Sequence, residues 1–257
     1  MKKIKPKYKV RWKNVFKFLL FVFIIIIASK MLFRGLNILI DNNNITKINK
    51  KLSKVKINNI VDDERTFKTI DDKDISKFDN YFNYVKLGLL DVDLTKAKKI
   101  NKNVIGWITI NGTDVNYPIV KTKGDFYNYH SIDKKSNVNG AIYTNSNTEG
   151  LKEDIVIQGN YNRFNILFGT LKNIFKEPWY DNDENYVIKL YLEDTSSLWQ
   201  IVSVYKTKDR ITRNNLINKS EYDFNTFVTN EDRILTIVAN GKTDIVIQAK
   251  LIKLHIK

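Results

Sequence analysis

The chain of 257 residues contains no cysteine. Disulfides, thiolate metal sites and a cysteine nucleophile are therefore excluded outright. Histidine is almost as scarce, with His130 and His255 the two imidazoles, and neither has a plausible nucleophile placed beside it in sequence. No Gly-rich phosphate loop and no Ser-His-Asp arrangement is present. Asp62-Asp63-Glu64 and Asp71-Asp72 lack the spaced ligands and the glycine of a calcium loop, so they read as solvated charge. No cofactor and no metal is expected. Between Asp41 and about Asn103 there is no proline and one glycine, Gly88.

What is present begins with charge. The formal net charge is +15, from 43 Lys and Arg against 28 Asp and Glu. Eight of the cations, Lys2, Lys3, Lys5, Lys7, Lys9, Arg11, Lys13 and Lys17, fall in residues 1–17 with no acid among them; setting them aside leaves 35 basic against 28 acidic residues, a net +7. Half of the imbalance is thus a short tail, which points to lipid headgroups rather than to nucleic acid. Hydrophobic content of 43% and aromatic content of 12% suffice for a packed core.

Phe18–Ser29 is an apolar run that, with Val15, Phe16 and Met31–Phe33, reaches spanning length. Lys17 and Lys30 stand near its ends, where their stems can snorkel. Ala28-Ser29 leads straight into Lys30, a poor cleavage site, so the run reads as an uncleaved anchor. The lysines before it place the N-terminus in the cytoplasm and the rest outside the cell membrane. Residues 1–14 are then a basic cytoplasmic tail, 15–34 a transmembrane signal anchor and 35–95 a helical stalk with N-terminal helices. The helical reading rests on Ile45, Ile48, Leu52 and Val55, and on Phe78, Tyr81, Phe82, Val85 and Leu89. A last short helix opens at Asp93–Lys96, capped by Asp93 or Thr95.

From Val104 the pattern changes to strands. Val104–Ile110, Asp114–Val120, Gly140–Thr144, Asp154–Gln158, Tyr186–Leu192, Leu198–Lys206, Arg233–Ala239 and Asp244–Leu254 are β-branched or alternating, as half-buried strands are. One helix, Phe164–Phe175, interrupts them. The Asn240-Gly241 pair between the last two runs predicts a tight hairpin whose turn residues take positive φ. Eight strands in sequence predict a closed or nearly closed barrel over residues 96–257.

The ordered segments Lys98–Ile108, Gly112–Val120, Tyr127–His130, Gly140–Tyr143, Asp154–Asn160, Leu167–Lys172, Ser203–Thr207 and Arg233–Ile237 resemble the class B sortases, cysteine transpeptidases that attach proteins to the cell-wall peptide. The resemblance implies a mainly β fold: an eight-stranded sortase-like barrel with N-terminal helices and a transmembrane anchor. It also implies a site of Cys, His and Arg. The family's histidine falls on Asn160, its cysteine on Asn240 and its arginine on Asp244. An amide exchanges no proton near neutral pH, is a poor nucleophile, and a carboxylate repels an oxyanion. No catalytic residue is therefore expected.

The chain is expected to bind a sorting-signal or cell-wall peptide, or a partner protein, at the cell surface. The groove would lie near Asn160, Asn240 and the polar segment Asp209–Asn230, with Arg210, Arg213, Asn214, Asn215, Lys219 and Glu221. One alternative is an aberrant transpeptidase or hydrolase recruiting Thr236, Thr243 or Ser203. Another is a scaffold for a true sortase or a pilus. An isopeptide set of Asn240, Lys242 and Asp244 has the wrong geometry when crowded into one turn.

Overall fold

A computed structural model describes residues 11–68, 81–162, 164–209 and 220–257. The chain divides into two compact units, the first ending at Asn44 and the second running from Ile45 to Lys257.

Helix α1, Trp12–Leu52, has 41 residues, a length of about 62 Å at the α-helical rise. In the first unit it exposes Phe18, Leu19, Phe21, Ile24 and their neighbours, and its apolar window carries a mean hydropathy of 2.5. By length and composition it can cross a membrane. In the second unit the same helix becomes one-sided: Ile45, Ile48 and Leu52 are buried, the spacing of a single helical face. Lys50 and Lys51 lie in the last turn, where cations suit the helix dipole.

The segment to residue 95 departs from the helical expectation. After α1 come strand β1 (Ile57–Ile60), strand β2 (Thr66–Lys68), a single turn α2 (Tyr81–Tyr84) and strand β3 (Leu89–Val92). β1 and β3 pair antiparallel, Ile57 opposite Val92 and Ile60 opposite Leu89. Phe78 and Asp71-Asp72 lie outside the described residues. A helix through Val85 to Leu89 is replaced by a turn because Lys253 reaches in from the barrel. Its Nζ donates to Val85 O at 2.9 Å and Leu87 O at 3.3 Å, which leaves these carbonyls engaged from outside the segment. Asp93 does not act as the N-cap of α3 (Thr95–Ile100) either. Leu94 holds that position, and the Asp93 carboxylate accepts the Thr95 N–H at 3.0 Å.

The barrel expected from the strand pattern is present. It comprises β4 (Val104–Ile110), β5 (Asn116–Lys121), β6 (Tyr143–Thr144), β7 (Ile155–Asn160), β8 (Val187–Leu192), β9 (Thr195–Thr207), β10 (Ile234–Asn240) and β11 (Asp244–Ile256). Their order is β10-β7-β6-β5-β4-β8-β9-β11, and β11 closes back on β10. β5–β6 and β7–β10 are parallel; the other pairs in the barrel are antiparallel. β2 joins the far half of β11, with Phe67 opposite Leu254.

Ile108, Ile119, Ile157, Leu190, Trp199, Ile201, Ile237 and Ile247 meet inside the barrel with 2% exposure or less. The interrupting helix forms as a 3-10 helix, Leu167–Phe175, followed by α4 (Glu177–Tyr180). Phe168 packs so closely on β7 that a Cβ on Gly159 would stand 2.8 Å from its ring. Only glycine allows that approach.

Candidate functional site

The parallel pairing of β7 with β10 sets Asn160 directly opposite Asn240. In-register residues of neighbouring strands share a face, so the two positions matched to the sortase histidine and cysteine are brought together. The strand ends are tied by a backbone bond from Tyr161 N–H to Asn240 O at 2.8 Å.

A third asparagine joins them. Asn160 donates its amide to Asn128 O at 2.6 Å and to Val138 O at 3.2 Å. Asn240 donates to Asn128 Oδ1 at 3.3 Å. The Tyr143 hydroxyl is within donating distance of Asn128 Oδ1, at 3.1 Å, and of Gln158 Oε1, at 3.3 Å. Burial, and then the Asp125 carboxylate, push the Tyr143 phenol up from its usual range, so it stays protonated as a donor. Asn162 adds a bond to Asn139 Oδ1 at 3.1 Å. Gly140 completes the wall at φ 65°, where a Cβ would lie 2.3 Å from Tyr127 O.

Asn128 was legible only as wording within Tyr127–His130; its role in gathering the site was not. Asn139 and Asn162 were missed in the same way. The one available signal was the density of asparagine in the segments flanking the strands.

Asp244, the residue matched by sequence to the family's arginine, opens β11 opposite Thr207. Its Oδ1 accepts the Gly241 N–H at 2.9 Å. The hairpin differs from the expected positive-φ turn, because neither Asn240 nor Gly241 has positive φ. Asn240 is held extended by Tyr161 and Asn128, so the chain reverses after it, and the last strand pair is Ala239 with Ile245. The Asp244 carboxylate closes this longer loop. Asn240 and Asp244 thus face different partners, which leaves no isopeptide geometry with the exposed Lys242.

The alternative nucleophiles are poorly placed. Ser203 is fully buried, and Thr236 is 7% exposed with its hydroxyl 3.4 Å from Gln248 Nε2. Thr243 is half-exposed beside the hairpin. His130 stacks on Phe126 at 3.8 Å and its Nδ1 bonds Phe126 O. His255 is buried at the distant end of β11, where its Nδ1 lies 3.0 Å from Thr66 Oγ1 and 3.4 Å from Asp63 Oδ1. Both contacts fall on the same ring nitrogen, so this trio cannot relay a proton from hydroxyl to carboxylate.

The acids around Asp63 are more engaged than solvated charge would be. Asp62 pairs with Lys253 at 2.5 Å and Asp63 with Arg65 at 2.6 Å. Bonds from Arg65 hold the Asp63 carboxyl below the usual carboxylate range. No group of three metal-ligating side chains occurs among the described residues.

Arg210, Arg213, Asn214, Asn215 and Lys219 lie outside the described residues. The part of their segment that is described is held by aromatic packing. Tyr222 stacks on Tyr180 at 4.4 Å, Phe224 meets Tyr186 edge-on, and Glu221 N–H bonds Val204 O. Lys206 on β9 sits 3.8 Å above the Phe175 ring.

No protein-family model matches the chain. Curated proteins and solved structures do. Sortase B of Staphylococcus aureus is 29% identical over 183 residues, covering 61% of this chain and 73% of the relative. The crystal structure of Clostridium perfringens sortase B superposes with a TM-score of 0.54 at 26% identity, over 62% of this chain and all of that one. A Staphylococcus aureus sortase B–substrate complex gives 0.55 at 25% identity, over 61% and 83% of the two chains.

Proposed function

We propose that this chain, a relative of the class B sortases in both fold and sequence, is a non-catalytic member that binds a sorting-signal or cell-wall peptide at the cell surface. The observation that carries this reading is the bonding of the three matched positions. Asn160 and Asn240 are joined through Asn128, and Asp244 is committed to the hairpin. Groups spent on holding a wall together are not poised to attack an acyl carbon. The amides left around them suit an extended backbone, which presents its own donors and acceptors. A solved relative is a sortase B–substrate complex, which supports a bound ligand rather than a purely structural barrel.

Membrane attachment by α1, with the basic tail in the cytoplasm and the barrel outside, belongs to the same proposal. It rests on the apolar span and the lysines before it.

The test is incubation of the full chain in detergent with a sorting-signal peptide. The expected result is saturable binding with no cleaved peptide and no covalent adduct by intact-mass measurement. An acyl adduct would overturn the non-catalytic reading. Absence of binding to sorting-signal and cell-wall peptides alike would overturn the peptide reading.

A further inference from the structure

β7 begins at Ile155 and delivers Asn160 at its other end. Near its beginning, at the pole of the barrel away from Asn160, lies an open cleft of about 800 Å³ lined by Asn103, Lys121, Thr122, Lys123, Asn145 and Asn147. Among the described residues its lining has two cations, three primary amides and one hydroxyl, with no carboxylate and no apolar residue. Neither lysine has a carboxylate within ion-pair distance among the described residues.

The floor of the cleft is built rather than loose. The Lys121 ammonium bonds Ser146 O. Ser146 is itself fixed, because its N–H bonds Thr144 Oγ1 at 3.1 Å and its Oγ accepts the Val156 N–H at 2.9 Å. Lys121 N–H bonds Asn103 O and Thr122 N–H bonds Thr144 O. One ammonium is thus held in place with one of its three donors used, and Asn145 and Asn147 flank the serine that holds it.

We propose that this cleft binds an organic phosphate on a hydroxylated skeleton, such as a polyol or sugar phosphate. A phosphate offers more acceptor oxygens than a carboxylate to two ammonium groups and several amide N–H donors. The amide carbonyls and Thr122 then have the skeleton's hydroxyls as donors. The volume exceeds what an inorganic ion fills and lies in the range of small-molecule sites.

The experiment is titration of the full chain in a zwitterionic detergent with glycerol 3-phosphate, inorganic phosphate, glycerol and acetate, monitored by amide chemical shifts, with a parallel co-sedimentation of the chain with vesicles of anionic phospholipid. Glycerol 3-phosphate is expected to bind saturably, with shifts at Thr122 and Asn145–Asn147, and about tenfold more tightly than glycerol or acetate. Lys123→Gln, at an exposed position outside the barrel's bonding, is expected to weaken it about tenfold. Lys242→Gln at the opposite pole should change nothing. Equal affinity for acetate, shifts that ignore Lys123→Gln, or no saturable response to glycerol 3-phosphate would each overturn the proposal. Inorganic phosphate binding as tightly as glycerol 3-phosphate would overturn the hydroxylated skeleton. Response only to vesicles of anionic phospholipid would replace the small ligand with a membrane surface.

Discussion

Asn128 holds two strand ends through one side chain and one carbonyl. Removing the side chain leaves the Asn240 amide without its acceptor, and the Tyr143 hydroxyl with one fewer, in a half-buried wall. Asn128→Ala is expected to cost about 1–3 kcal/mol in chemical denaturation, whereas Asn147→Ala on the exposed rim of the cleft costs less than about 0.5 kcal/mol. Restoring the nucleophile alone should not restore chemistry. Asn240→Cys places a thiol beside an amide and near a carboxylate, neither of which stabilises a thiolate. No acyl adduct with a sorting-signal peptide is expected from that variant. Measurable adduct from it would mean that the surroundings supply more than Asn160 and Asp244 suggest. The match of the family's histidine, cysteine and arginine to positions 160, 240 and 244 could be proposed from the sequence because each sits in or beside a strand that aligns by pattern. The role of Asn128 could not, because it meets Asn160 and Asn240 from 32 and 112 residues away, and nothing local marks such a convergence.

At the scale of elements, the eight barrel strands could be read because most alternate or are β-branched over several residues. β1, β2 and β3 could not, since they have three or four residues each, and their pairing is decided by partners elsewhere. β2 is secured to β11 by the ion pairs around it. Lys253, 2% exposed at its side chain, joins Asp62 and caps two carbonyls near α2. Lys253→Met is expected to destabilise the domain by about 1–3 kcal/mol, chiefly through unpaired carbonyls. Asp62→Asn costs less because Asp62 is partly solvated. Asp63 gives this edge a pH dependence. Its folded pKa is lowered by Arg65, so its stabilisation is present above the unfolded carboxylate value, about 3.9. It is lost as pH falls through the lowered folded value. Arg65→Gln should raise the Asp63 titration midpoint, read from its carboxyl NMR shift.

For the whole molecule, the proposed orientation makes a prediction about access. Protease added outside intact cells is expected to digest the second unit, Ile45–Lys257, while an epitope before Trp12 survives until the membrane is breached. Digestion in the opposite order would reverse the topology. Length and hydropathy made the span visible in the sequence. They did not reveal that one helix runs unbroken from Trp12 to Leu52 and becomes part of the barrel unit's core at Ile45, Ile48 and Leu52.

The pairing of β10 with β7 on one side and β11 on the other bears on how the proposed membrane-held chain would behave among its neighbours. Proteins confined to a surface meet one another at high local concentration, and an unpaired strand edge then becomes a template for polymerisation. Here the seam that sets Asn160 opposite Asn240 also closes the barrel. On β11 the outer position goes to a strand of three residues ending in Lys68. The pairing that brings Asn160 and Asn240 together thereby also protects the chain from edge-to-edge aggregation, a reason for the seam to persist that is independent of chemistry at those positions.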